Sequence, residues 1–242
     1  MSILAFDVLQ PTVTGGNPYY AKEAGTIVAW SHNASADLGQ SLYLKVYRQV
    51  LGSIYLVVGH DGPRPITPNA VNTFSGFSIE VKPGDVIGLN DGPPSACAFA
   101  ATGDEIQQRM GNLADGTSGT FAPRTDVRAN VTAVLNPTNT FTLSGLVRNS
   151  NKGTASVRVT LPNPGFLALT GKGVKTAGAS GARAAVNIAS PGTITLPIRA
   201  NGKRSNALHK RGKTKVAPVV SFTPTGGVPS SQTLNVRLRK KL

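Results

Sequence analysis

Three histidines, one cysteine and eleven carboxylates are the side chains from which most catalytic or metal sites in this 242-residue chain would have to be assembled. His32, His60 and His209 stand at no metal-ligand spacing, and only His60 has an acidic neighbour, Asp61. A zinc site takes three or four ligands, so these histidines read as strand or surface residues. Cys97 lies in SACAFA. A nucleophilic cysteine needs a base and a setting that stabilises the thiolate. His60 is available as a base, but a small buried apolar cysteine is the favoured reading. Calcium would need clustered oxygens. Asp85 and Asp91 flank one strand-like run, and Asp104 with Glu105 falls in an expected loop; all four read as turn residues, because Asp readily bonds its own backbone. Gly212-Lys213-Thr214 lacks the glycine five residues earlier that a phosphate-binding loop requires, since Ala207 stands there. Leu161-Pro-Asn-Pro-Gly165 has Pro164 where a sortase signal has threonine, and it lies mid-chain. No catalytic residue, metal or cofactor is expected, and the chain reads as a non-enzyme.

Binding chemistry has more support. Alternation along Ser41–Arg48 (SLYLKVYR) sets Tyr43, Lys45 and Tyr47 on one strand face, opposite Leu42, Leu44 and Val46. With Trp30, these residues form a candidate sugar-stacking surface, although Tyr also packs routinely against cross-strand neighbours. A second candidate is basic. Lys203, Arg204, His209, Lys210, Arg211, Lys213 and Lys215 form one run, and Arg237, Arg239, Lys240 and Lys241 another. Such a surface attracts polyanions; the competing reading is that lysines keep sheet edges soluble. Base-stacking aromatics are missing around these runs, so specific nucleic-acid recognition is not expected. Lys–Asn isopeptide crosslinks of the kind carried by some bacterial surface sandwiches need a carboxylic acid beside the pair. Residues 139–242 contain no carboxylate side chain, so such a bond is not expected there, and it is left open, with no named pair, in the first half.

The elements that must position these residues read as strands. Glycine (27) and proline (17) are abundant, as many short strands joined by tight turns require. Gly25–Ser31, Ser41–Arg48, Ile54–Val58, Phe74–Val81, Asp85–Leu89 and Val127–Leu135 are the strand-like runs of the first part. In the second part they are Phe141–Arg148, Ala155–Leu161, Gly165–Thr170, Ala184–Ile188, Gly192–Ile198, Lys215–Thr223 and Thr233–Leu238. No stretch has a convincing helical period; the best candidate, Asp104–Leu113, is undercut by Gly103 and Gly111. No apolar run is long enough to span a membrane, and SILAFDVLQ after Met1 lacks the basic start and apolar core of a signal peptide.

Charge divides the chain. Residues 1–138 hold eight basic residues and all eleven acids, whereas 139–242 hold seventeen basic residues and no acid. Trp30 and all five tyrosines lie in the first part. The expected fold class is therefore all-β, with β-sandwich domains at 1–138 (jelly-roll-like) and 139–242 (immunoglobulin-like).

KGTASVRV (152–159), PGFLALTGKGVK (164–175), KTKVAPVVSFTPTGG (213–227) and the ending TLNVRLRKKL carry a resemblance. Over residues 141–242 the chain resembles the C-terminal Ig-like modules of actinobacterial secreted or surface proteins. GTIVAWS, YLKVYR and VKPGDVIGLN look more loosely like the β-sandwich modules that often precede them. The resemblance implies an extracellular or cell-surface location. It fits a noncatalytic adhesion or structural protein that contacts anionic cell-wall polymer or polysaccharide and is able to form a homo-oligomer. The alternatives are a carbohydrate-binding module pair or a structural subunit of a virion or extracellular fibre.

Overall fold

A computed structural model describes residues 5–37, 39–91, 98–175 and 185–242. The chain folds as two compact units, Met1–Asn136 and Pro137–Leu242. The boundary falls at Asn136-Pro137, where the charge balance also changes sign. Cys97 lies outside the described residues.

The first unit contains β1 (Phe6–Thr12), β2 (Gly25–Asn33), β3 (Ser41–Leu51), β4 (Ile54–Pro65), β5 (Val71–Val81), β6 (Val86–Asp91), β7 (Ala98–Met110), β8 (Ser118–Thr120), β9 (Ala122–Ala129) and β10 (Thr132–Pro137). They form a seven-stranded antiparallel sheet in the order β8-β4-β3-β6-β1-β7-β9 and a three-stranded sheet in the order β10-β2-β5. Alternation builds the core between them. Leu42, Leu44 and Val46 from β3, Val8 from β1 and Leu89 from β6 meet Ile27 and Trp30 from β2 and Ile79 and Val81 from β5. Because successive side chains point to opposite faces, the outer face of the large sheet carries Asp7, Leu9, Lys45, Tyr47 and Asn90. That face is not solvated. Leu9, Tyr47, Tyr55, Val57, Val86 and Phe121 form a second apolar cluster there, and Leu113 packs on it. At the centre of the sheet, β1 and β6 approach so closely that a Cβ on Gly88 would lie 1.9 Å from the Val8 carbonyl oxygen.

The second unit contains β11 (Thr142–Asn149), β12 (Thr154–Leu161), β13 (Gly165–Lys172), β14 (Val174–Lys175), β15 (Ala185–Ile188), β16 (Gly192–Ala200), α1 (Gly202–Arg211), β17 (Lys213–Pro224), β18 (Ser230–Thr233) and β19 (Val236–Arg239). One antiparallel sheet runs β11-β12-β16-β14; the other runs β15-β13-β17-β18, with β19 also paired to β17. Val157, Val159, Leu196 and Ile198 from the first sheet pack with Leu167, Leu169, Val220 and Phe222 from the second.

The all-β expectation holds, with these corrections. Asp104–Met110 is neither helix nor loop. It continues β7, where pairing to β1 and β9 supplies the backbone partners and Ile106 enters the core. A helix does occur at Gly202–Arg211, a segment with no apolar period. Asn201 caps its start, the side chain accepting from Gly202 N–H, and Gly212 at φ 63° takes the left-handed position past its end. Leu208 is its one buried residue, and a single apolar anchor gives periodicity analysis nothing to detect. The run Thr233–Leu238 is divided between β18 and β19, both of which pair with β17.

Candidate functional site

The expected sugar platform does not assemble. Trp30 is 1 % exposed; its indole N–H donates to Asp61 Oδ2 at 2.7 Å, and its ring packs on Phe74. Arg64 closes this pair by donating to both Asp61 oxygens. Lys45 and Tyr47 are buried at 1 % and 0 %. Strand alternation put them on the correct face, but the segment from Gly111 to Phe121 covers that face. Of the four residues only Tyr43 is partly exposed, and it packs against His60, whose Nδ1 lies 2.7 Å from Asp115 Oδ1.

Burial of Lys45 is matched by polar contacts. Its Nζ donates to Asp7 Oδ1 at 2.7 Å, Asn112 Oδ1 at 2.5 Å and the Leu113 carbonyl at 2.6 Å. Burial pushes the ammonium below its usual range, against the hydrogen bond and charge of Asp7. Asp7 also accepts from Tyr47 Oη, Asn90 Nδ2 and the Leu113 amide.

Two of the carboxylates weighed for calcium, Asp85 and Asp104, have other partners. Asp85 accepts two hydrogen bonds from Arg48 and one from the Lys82 amide, closing the Pro83-Gly84 turn. Asp104 is buried and holds Arg128, the Thr14 amide and the Thr14 hydroxyl. Arg128 keeps its carboxyl well below the usual carboxylate range, with the Thr14 amide assisting. Among the described residues no three His, Cys, Asp or Glu side chains gather to hold a metal.

The basic runs do assemble. The alternation of β17 and β19 buries Thr214, Val216, Val236 and Leu238 and exposes Lys213, Lys215, Arg237 and Arg239. Register then sets Lys213 opposite Arg239 and Lys215 opposite Arg237. Like charges directly opposite on a sheet destabilise it. The other sheet repeats the arrangement: exposed Lys175 of β14 is opposite exposed Arg199 of β16. The helix α1 runs from the end of β16 to the start of β17, so all three pairs gather at one end of the unit. The helix adds exposed Lys203, Arg204, Lys210 and Arg211. His209, Lys210 and Arg211 suit the negative end of its dipole, but its first turn holds Lys203 and Arg204 and no acid. Beside that first turn, Lys172, Asn201, Lys203 and Arg204 line an open groove of about 660 Å³. Lys240 is partly exposed and Lys241 exposed; their amides bond the Gly212 and Ser150 carbonyls, which holds the chain end against this region.

Sequence reasoning placed the basic runs but missed Lys172, Lys175 and Arg199. These join the face through strand pairing, and their separation in the chain hides them. The one usable signal was the absence of any Asp or Glu after residue 138, which leaves the cations there without a carboxylate side chain in their own half. No family model, no curated protein and no solved structure matches this chain.

Proposed function

We propose that this is a noncatalytic extracellular or cell-surface protein, adhesive or structural, whose C-terminal unit binds an anionic polymer of the cell envelope. We take its first unit as a jelly-roll-like sandwich and its second as Ig-like; the facing antiparallel sheets in each support that assignment. The observation that carries the binding role is the set of three cross-strand cation pairs, Lys213–Arg239, Lys215–Arg237 and Lys175–Arg199. Each pair costs stability in the free protein, and a polyanion lying across them turns repulsion into attraction.

A phosphate- or carboxylate-bearing wall polymer fits better than nucleic acid. Of the aromatic residues in this unit, Phe141 and Phe222 are buried. Exposed Phe166 pairs with Thr223, at the far end of β17 from Lys213. No platform for base stacking accompanies the charges. Co-sedimentation of the full chain with isolated cell wall tests the reading. Retention at low salt that is lost as salt rises is expected; no retention at low salt overturns it.

A further inference from the structure

The polyanion reading leaves the buried Lys45 cluster unused. An amine, a carboxamide and a carboxylate meet there within hydrogen-bond distance. Lys45 Nζ lies 2.5 Å from Asn112 Oδ1 and 2.7 Å from Asp7 Oδ1. The site is fixed from several sides. Asp7 Oδ1 accepts from Asn90 Nδ2 at 2.9 Å, and Asp7 Oδ2 accepts from the Leu113 amide at 2.8 Å. Asn90 Nδ2 also donates to the Gly111 carbonyl, so the segment that carries Asn112 is held over the amine. Lys45 and Asp7 are 1 % and 0 % exposed, beside the apolar cluster of Leu9, Tyr47 and Phe121.

A solvated lysine is an unreactive ammonium. Here burial favours the neutral amine, and the electrophile is already in place, so the step is intramolecular. A simple ion pair would need only Asp7. The carboxamide oxygen on the same Nζ adds a group that can react with it.

We propose that Lys45 and Asn112 become joined by an intramolecular isopeptide bond, with Asp7 as the proton carrier. The Asp7 carboxylate takes a proton from the Lys45 ammonium, and the freed Nζ lone pair adds to Asn112 Cγ. Asp7 passes that proton to the amide nitrogen, the Cγ–N bond of the carboxamide breaks, and the carbonyl re-forms. The departing ammonia takes the second Nζ proton through Asp7 and leaves as ammonium. One ammonium and one carboxamide become one secondary amide and one free ammonium, with no oxidant or reductant. Asn112 itself lies at the surface, which gives the leaving group a direct route to water. The bond would tie β3 to the β7–β8 connection across 67 positions of sequence.

This inference does not depend on the polyanion reading. Intact-mass measurement of the purified full chain tests it, followed by mapping of the tryptic peptides. The expected mass is about 17 Da below that of the sequence, the mass of one ammonia, with a branched peptide joining Lys45 to Asn112. Folded protein at the full sequence mass overturns the proposal. So does a deficit of about 18 Da, one water, with Lys45 joined to Asp7. Asp7→Asn should return the mass to that of its own sequence. Should that variant fail to fold, Asn112→Ala, a change at the surface, carries the test. It should fold and show its full mass, and a crosslink that persists in it overturns the assignment.

Discussion

His32 faces inward from β2 and is 1 % exposed. Its Nδ1 lies 2.7 Å from the Asn130 carbonyl. A carbonyl only accepts, so Nδ1 carries the proton, and the buried Nε2 has no partner among the described residues. Burial holds the folded-state pKa below the usual value, against the Asn130 hydrogen bond. The unfolded chain takes up its proton near pH 6.5, so the contribution of His32 is complete above that pH and is lost as pH falls below it. Urea midpoints should therefore drop between pH 7.5 and pH 5.5, and His32→Gln should flatten that drop. Asp104 titrates well below that window: its pKa is depressed, and its contribution holds down to about pH 4, where unfolded aspartates protonate, so it does not disturb the measurement. Gly88 gives a second test at this scale. A side chain there meets the Val8 carbonyl at 1.9 Å with strands on both sides, and Gly88→Ala should cost about 3 kcal/mol in denaturant unfolding, at the upper end for overpacking.

The β17–β19 hairpin is the element where stability and binding oppose each other. Lys215→Glu replaces one like-charge pair by an attractive pair with Arg237. It should raise the stability of the second unit by about 0.5 kcal/mol while lowering the salt at which the protein leaves an anionic polymer column. A variant that loses stability and keeps its elution salt would argue that these cations serve the fold. In α1, Gly212 at φ 63° ends the helix in a conformation that side chains rarely adopt. Gly212→Ala should cost about 1 kcal/mol, read by thermal melting. The strands of both units were readable because alternation and turn residues are local signals. The helix was not readable, because its start and end depend on one cap each and its packing on Leu208 alone.

At the scale of the molecule, the two units have separate cores and opposite charge balance. The chain of residues 137–242 should fold alone with a cooperative melt and bind polyphosphate with the same salt slope as the full chain. Residues 1–136 should show no such binding. Composition and alternation alone determined the all-β class, the charge divide near Pro137 and the basic character of the second half, because each depends only on residue type and near neighbours in the chain. Which faces are covered was decided only by the tertiary structure. Lys45 and Tyr47 were correctly set opposite Leu44, yet they are buried because a segment more than sixty positions away packs over them. Lys175, Arg199, Lys213 and Arg239 likewise share one end of the sandwich because antiparallel pairing brings distant residues together. The physical reason is the same in both cases: a β-sheet is built from contacts distant in sequence, and local pattern carries no record of which strand, or which loop, lies alongside.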